Sequence, residues 1–356
     1  MWVQWLFIST FIFMYFQSWI VKKWGLKRIK YNRYFNIERV FVDSEVQMVE
    51  EIVNYKLLPI PWLKVESKIN KNLFFSKEEN RVVKNEEYHS SVFSLFPFMR
   101  VLRKYSIIPK KRGCYKMNSV SLTCGDFISL GKRNYLDMEL ESFLIVFPKL
   151  VPMEEIPFPN NSLRGDILVK RWIIEDPFMI SGVREYHNND SMKDINWSST
   201  AKMGHLQVNK YDYTADRKLM ILLNVDIREG QWEVSDIVDS IEKGISYCAT
   251  VANSFITSGV ETGFGTNGEI VDFEDDLIYI HPDSSEDHLL YMYELMAKLI
   301  IKSKCTFHKY LEEEVNKGNS NIDYMIFSAY MDDNIQYQIN NLTRLGNTVK
   351  VIFLEE

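Results

Sequence analysis

The chain has 356 residues, enough for two domains and an anchor at the usual ~100–200 residues per domain. Hydrophobic residues make up 46% and charged residues 25%, a globular balance that excludes broad disorder. A formal net charge of −6 excludes a general nucleic-acid binder, which needs a basic surface to displace counterions.

Residues 1–21 carry no charge and are dense in Trp, Phe, Ile and Leu. Their length matches the ~20 residues a helix needs to cross a bilayer. Trp2, Trp5, Trp19 and Trp24 cluster near the two ends, where indole rings favour the interface. A cleaved signal peptide would want lysine or arginine before the apolar run and small residues at a cleavage site, and the sequence has neither. Residues 22–34 form a basic juxtamembrane segment instead, with Lys22, Lys23, Lys27, Arg28, Lys30 and Arg33 and no acidic residue among them. The positive-inside rule then places the N-terminus outside and the main body in the cytoplasm. The expectation is a single-pass protein of the cell membrane, in contact with the lipid bilayer through residues 1–21.

Residues 35–160 read as a β-rich, sandwich-like domain. Leu63, Val65 and Ser67 alternate with Lys64 and Glu66, Val92–Phe96 is a compact apolar run, and Met138–Glu141 alternates before Phe143–Phe147. Turn residues at Pro59, Pro61, Pro109, Gly113 and Gly125-Asp126 punctuate these runs. The polar patch Ser76–Glu87 has neither period and is expected to be a solvated hairpin loop. Cys114, Cys124, Cys248 and Cys305 show no zinc spacing and read as core thiols. A disulfide between Cys114 and Cys124 would require them to face each other across a hairpin in oxidising surroundings.

After the loop Pro157–Asn161, a second region covers residues 161–356. Its densest stretch begins at Gly182 and holds Arg184-Glu185-Tyr186, then Asp190, then Asp194-Ile195-Asn196-Trp197, and then Ala201-Lys202-Met203-Gly204-His205-Leu206-Gln207-Val208. It reads as a strand end, a turn at Asn188–Asp190, a short helix around Trp197 and another strand. The order and spacing resemble the signature of a bacterial family of unknown function, domain of unknown function 58. Arg112-Gly113-Cys114-Tyr115 and Gly125-Asp126-Phe127 are similar to that family as well. The resemblance implies a von Willebrand factor A-like C-terminal domain and a MoxR-type AAA+ ATPase as partner, and it implies no reaction.

Two readings of the signature compete. His187, Asp190 and Asp194 could form a metal or acid–base cluster, giving a metal-dependent hydrolase. Alternatively Asp190 caps the short helix, Arg184 pairs with a nearby carboxylate, and Trp197 buries its ring as an anchor. A small histidine count among asparagines specifies no metal, so the structural reading is preferred. On it, Trp197→Ala would cost about 3–5 kcal/mol.

Further on, Lys218–Val225 is a continuous apolar run, as in a parallel strand buried on both faces. Ile237, Ile241, Ile245, Cys248, Ala252 and Phe255 recur at helical spacing and Gly259 stops the helix. A strand is expected near Val260–Phe264, and Asp283 with Glu286 reads as a capping box opening the helix through Leu299. Met325–Phe327 and Val349–Leu354 complete a doubly wound, Rossmann-like α/β domain.

Ligands of such sheets sit at the carboxyl ends of the strands. Asp226 stands there, where metal-binding A-domains carry Asp-x-Ser-x-Ser. The sequence here is Asp226-Ile227-Arg228-Glu229-Gly230. Both hydroxyls are gone and Arg228 is a cation where a hard divalent ion needs oxygen, so no metal is expected. Asp226 would instead cap a turn or pair with Arg228. Gly263–Gly268 is expected to be a turn rather than a phosphate cradle. No nucleophile elbow, HExxH or CxxC is present, so neither catalysis nor a cofactor is expected. The function expected is interaction, with Asp226, Arg228, Glu229 and Trp232 and the 263–268 turn as candidate contact loops. The signature residues Arg184, Glu185, Tyr186, Asp190, Asp194, Trp197, Lys202 and Gly204 would serve as a structural or docking element beside them.

Overall fold

The computed structural model describes residues 2–75, 81–83, 86–117, 119–125, 134–140, 142–158, 175–187, 190–213, 218–227, 234–271 and 277–354. The chain divides into two compact units, Met1–Lys149 and Leu150–Glu356. The division falls before the loop at 157–161. The Val151 amide donates to Thr250 Oγ1 at 3.0 Å and Ile156 is buried, which ties this stretch to the second unit.

The first unit opens with helix α1 (Trp2–Trp24), whose stretch Gln4–Val21 is long and apolar enough to cross a membrane. The sheet-rich body follows. Its strands are β1 (Ile29–Phe35), β2 (Arg39–Phe41), β3 (Val46–Asn54), β4 (Ile60–Ile69), β5 (Leu73–Phe75), β6 (Arg81–Val83), β7 (Glu86–Leu95), β8 (Arg100–Pro109), β9 (Gly113–Lys116), β10 (Ser119–Gly125), β11 (Asn134–Glu139) and β12 (Phe143–Phe147). They form sheets ordered β1-β3-β8-β5, β11-β10-β4-β7-β6 and β2-β12-β9. Alternation buries one face of β1 and β4, while β3 and β12 are buried almost throughout. Tyr31 and Ile52 of the first sheet meet Leu63, Phe93 and Leu122 of the second, while Met48 and Ile107 meet Leu144 and Val146 of the third.

The basic stretch at 22–34 takes in the end of α1 and most of β1. Its second half is β1, and strand alternation turns Tyr31, Arg33 and Phe35 inward. Arg33 lies directly across from Glu50, and both are buried. Tyr31 donates to Glu50 Oε1 at 2.7 Å, Ser91 donates to Oε2 at 2.9 Å, and Arg33 donates to the Met117 carbonyl at 2.9 Å. The polar patch at 76–87 contains hairpin pairing, with Arg81 opposite Tyr88 and Val83 opposite Glu86, while residues 76–80 and 84–85 lie outside the described residues. No disulfide joins Cys114 to Cys124: both are free thiols, and their strands β9 and β10 are not paired across a hairpin.

The second unit holds β13 (Glu175–Glu185), α2 (Trp197–Met203), β14 (Gln207–Tyr213), β15 (Lys218–Leu223), α3 (Val234–Thr257), β16 (Thr262–Thr266), β17 (Gly268–Ile270), β18 (Ile278–Asp283), α4 (Glu286–Lys298), β19 (Leu299–Ser303), α5 (Phe307–Asn316), β20 (Ile322–Ser328), α6 (Asp333–Arg344) and β21 (Thr348–Phe353). The main sheet is ordered β18-β16-β15-β20-β21, parallel throughout except for the antiparallel edge β18. The expected stripe of α3, from Ile237 to Phe255, is the face it buries, packing on β15, β16 and β20. On the other face, Met220, Leu222, Tyr324 and Ile326 are covered by Phe307 and Leu311 of α5 and Ile335 and Ile339 of α6. Helices on both faces explain why the strands are continuous apolar runs.

Two local expectations are corrected. Residues 263–268 are not a turn: Gly263 and Gly265 lie within β16, paired with Met220 and Leu222, because sheet pairing satisfies their backbone. The cap of α4 is Ser285, whose Oγ accepts from the His288 amide at 3.3 Å. Asp283 is occupied one step earlier, accepting from the Ser284 amide and the Ser285 hydroxyl.

Candidate functional site

The signature segment is an excursion between β13 and β14, which pair from Gly182 opposite Lys210 to Glu185 opposite Gln207. At its neck the Arg184 guanidinium forks onto Asp190, with Nη1 to Oδ2 at 2.6 Å and Nη2 to Oδ1 at 2.7 Å. A bidentate, charge-assisted pair fixes direction as well as distance. The same carboxylate accepts the His187 amide at 2.8 Å, and the Asp190 amide returns a bond to the His187 carbonyl. Arg184 therefore pairs with a nearby carboxylate as expected, and that carboxylate is Asp190. Asp190 is not the helix cap: its carboxylate turns to Arg184 and the His187 amide, and other side chains cap the two turns that follow. Ser191 caps the 3-10 turn Met192–Asp194, and the Asn196 side chain caps α2 by accepting the Ser199 amide at 2.9 Å.

The rest of the excursion is pinned to β14. Ile195 bridges to Val208, and the two bury the apolar contacts of the segment. The Asn196 amide side chain donates to Asn209 Oδ1 at 2.7 Å, and Thr200 Oγ1 accepts the Gln207 amide at 2.9 Å. Gly204 ends α2 at φ +76°, a left-handed backbone that favours glycine, and its amide donates to the Thr200 carbonyl. Lys202 stands exposed in the last turn of α2. Tyr186 joins through its amide to the Leu206 carbonyl, and Glu185 pairs with His205 at 3.1 Å.

Trp197 is the correction that matters most. Its ring is 66% exposed rather than buried. Ile195 and Val208 are the buried apolar side chains of the segment, and Trp197 at the start of α2 is turned to solvent. Met192 at 71% and Met203 at 61% exposure stand in the same excursion. The cost of Trp197→Ala therefore falls to the surface range of about 0.5 kcal/mol.

The proposed metal triad does not assemble as a cage. A guanidinium already occupies the Asp190 carboxylate, and His187 Nδ1 lies 3.1 Å from the Glu185 carbonyl and 3.3 Å from Arg184. No group of three metal-ligating side chains occurs among the described residues.

At the carboxyl end of the main sheet, Asp226 is buried and its carboxylate is fully engaged. Oδ1 accepts the Asn267 side-chain amide at 2.6 Å, and Oδ2 accepts the Phe307 backbone amide at 2.7 Å, with the Tyr330 hydroxyl at 3.4 Å. The residue is thus a remote N-cap: Thr306 makes no side-chain cap to α5, and Asp226 supplies the acceptor at the positive helix end. Asn267 extends the knot to the Val225 amide and the Cys305 carbonyl, and Asn224 joins Ser328 across the sheet. Instead of a local turn, Asp226 caps a helix 81 residues away in sequence, and the alternative partner Arg228 lies outside the described residues. Nothing in the local sequence could have shown that. Arg228, Glu229 and Trp232, the other candidate contact residues, lie outside the described residues.

Residues 182–354 match the protein family described as Protein of unknown function DUF58. The match takes in the signature and the whole α/β sheet, and stops short of the β-domain and α1. No curated protein matches the chain. Among solved structures, a CARDB domain from Pyrococcus furiosus is 13% identical, covering 34% of this chain and 96% of that one at a TM-score of 0.20. A non-cellulosomal cohesin from Archaeoglobus fulgidus is 7% identical, covering 33% of this chain and 91% of that one at a TM-score of 0.22. At these scores neither likeness bears on fold or function.

Two outcomes follow from the geometry. Asp226→Ala removes the acceptor of two buried donors and should lower unfolding free energy by about 1–3 kcal/mol for each donor left unmatched. Asp226→Asn, which keeps one acceptor oxygen, should lose less; thermal and denaturant unfolding of the full chain in detergent measure both. The Asp190 carboxyl is held at about 2, below its ordinary 3.8, first by the Arg184 hydrogen bonds and then by the His187 amide. A depressed carboxylate contributes stability fully above its unfolded value, and that contribution disappears as pH falls through the folded value. Carboxyl titration by NMR should place Asp190 near 2 and move it toward 3.8 in Arg184→Gln.

Proposed function

We propose that the protein acts by contact, as a membrane-anchored cytoplasmic partner or adaptor of a MoxR-type AAA+ ATPase, and that its signature segment is the docking element. The observation that carries this reading is the exposure of Trp197, Met192 and Met203 on an excursion held by backbone pairing and the Arg184–Asp190 fork. An exposed tryptophan on a rigid support is the kind of anchor that dominates interface energies, since little entropy is lost on binding. Exposed methionines elsewhere on the same excursion add adaptable apolar surface.

The partner and the orientation rest on other supports. The family resemblance supplies the ATPase, and the basic run after Val21 supplies the cytoplasmic placement of the body. The mostly parallel sheet with one antiparallel edge, helices on both faces and Asp226 at the end of β15 favours a von Willebrand factor A-like description of the second unit. Such a domain would work here without a metal, because Asp226 is taken up by α5 and Asn267.

Trp197→Ala separates docking from architecture. The melting temperature should stay that of the wild type, while affinity for the ATPase should fall by about thirtyfold, the ~2 kcal/mol expected of an interface hot spot. Pull-down and titration with the purified ATPase measure the second effect. A large drop in melting temperature, or unchanged affinity, would remove Trp197 from the interface.

A further inference from the structure

The end of the β-domain where α1 leaves it joins exposed apolar side chains, cations and a pocket. α1 does not hang from a free linker. Val21 is buried with Tyr31, Ile52 and Cys124 of the domain core. Lys56, itself buried, donates to the carbonyls of Trp24 at 2.7 Å and Lys27 at 2.9 Å, and to that of Gly25. A cation on the last carbonyls of a helix meets the negative end of its dipole. Burial pulls the Lys56 ammonium down to about 8, which leaves it charged at neutral pH. Gly25 is required for this closeness: a Cβ there would stand 2.3 Å from the Val21 carbonyl oxygen and 2.7 Å from Cys124 Sγ.

Three loops meet around this joint. The Asn54 side chain donates to the Leu58 carbonyl at 3.1 Å and the Phe96 carbonyl at 3.0 Å, the Phe98 amide reaches the Lys56 carbonyl, and the Tyr55 amide reaches the Arg28 carbonyl. From loops so held, Leu57, Phe96 and Phe98 project at 76%, 69% and 67% exposure. Phe98 has φ +53°, an uncommon backbone for an aromatic residue and one that surroundings must impose. Beside α1 a pocket of about 580 Å³ is lined by Ile20, Trp24, Leu58 and Pro59, with Lys27 and Arg28 at the same site. The apolar tips, the pocket and the cations all adjoin the end of α1, the one helix among the described residues apolar enough to span a bilayer.

We propose that this end of the β-domain is a phospholipid-binding surface. Leu57, Phe96 and Phe98 seat in the interfacial layer of the bilayer that α1 crosses, and the pocket takes an acyl chain of an anionic phospholipid whose phosphate meets Lys27 and Arg28. Apolar and aromatic side chains partition into that layer, and basic residues near it attract anionic headgroups. The inference rests on α1 being a membrane span, and a bilayer is the one occupant that brings lipid chains and anionic phosphates to the same end of the helix. The β-domain would then stand at a fixed attitude on the membrane rather than sway on a tether.

The test uses the full chain in nanodiscs of phosphatidylcholine and phosphatidylglycerol. A photo-crosslinking phenylalanine analogue is placed singly at positions 57, 96 and 98, at 11 within α1, and at 37 and 74. Ile37 follows the far end of β1 and Phe74 pairs near the far end of β8, so both are exposed apolar controls remote from the joint. Lipid adducts are expected at 11, 57, 96 and 98 and not at 37 or 74. Phosphatidylglycerol should be enriched at 57 over its share of the mixture, by about fivefold for one basic residue near the surface. That enrichment should fall in Lys27→Gln with Arg28→Gln. Adducts at 11 with none at 57, 96 and 98 would leave the anchor standing and overturn the surface. No adduct at 11 would overturn the anchor and the surface together. Equal adducts at the control positions, or no enrichment of the anionic lipid, would also contradict the proposal.

Discussion

Asp226 accepts hydrogen bonds from an amide side chain and from the first turn of a helix that lies far along the chain, and the carboxyl end of the main sheet is built around that carboxylate. β15, the segment joining β16 to β17, and α5 converge on it, and Tyr330 after β20 approaches its second oxygen. In open α/β sheets this is where ligands ordinarily bind. Here both oxygens of that carboxylate accept hydrogen bonds from within the fold.

A common pattern runs through both units. Charged and polar side chains that look available in sequence are taken up by internal partners, while large apolar ones that look like core are left outside. Arg184 and Asp190 lock the neck of the signature, Tyr31 and Ser91 hold Glu50 inside the β-domain, and Lys56 holds the end of α1. Removing one partner of such an arrangement leaves the other unmatched, which is costlier than either group on a surface. Trp197, Leu57, Phe96 and Phe98 stand exposed on the supports that these polar groups stabilise. Rigid backing for exposed aromatic rings is what association needs if ordering costs are to stay small.

This pattern also explains what was legible in the sequence. The apolar helix, the sheet-rich middle, the stripe of α3 and the buried strands at 218–223 and 322–328 were readable because periodicity reports burial directly. The pairing of Arg184 with a close carboxylate was readable because the partners are local. Arg33 was misplaced because net charge suggests solvent, and only the register of β1 against β3 shows that it faces Glu50. The burial expected of Trp197 failed because Ile195 and Val208 are the buried apolar side chains of the segment, and Trp197 is turned to solvent. The glycines at 263 and 265 look like a turn until their pairing with β15 is known.

The central claim is that the protein works by contact through the signature excursion. Hydrogen exchange on the full chain, with and without a nucleotide-loaded MoxR-type ATPase, measures that contact amide by amide. The account predicts added protection across Met192–Leu206, where Trp197 and the flanking methionines lie, with little change in the already paired strands of the main sheet. Binding accompanied by protection elsewhere, with the excursion unaltered, would contradict it.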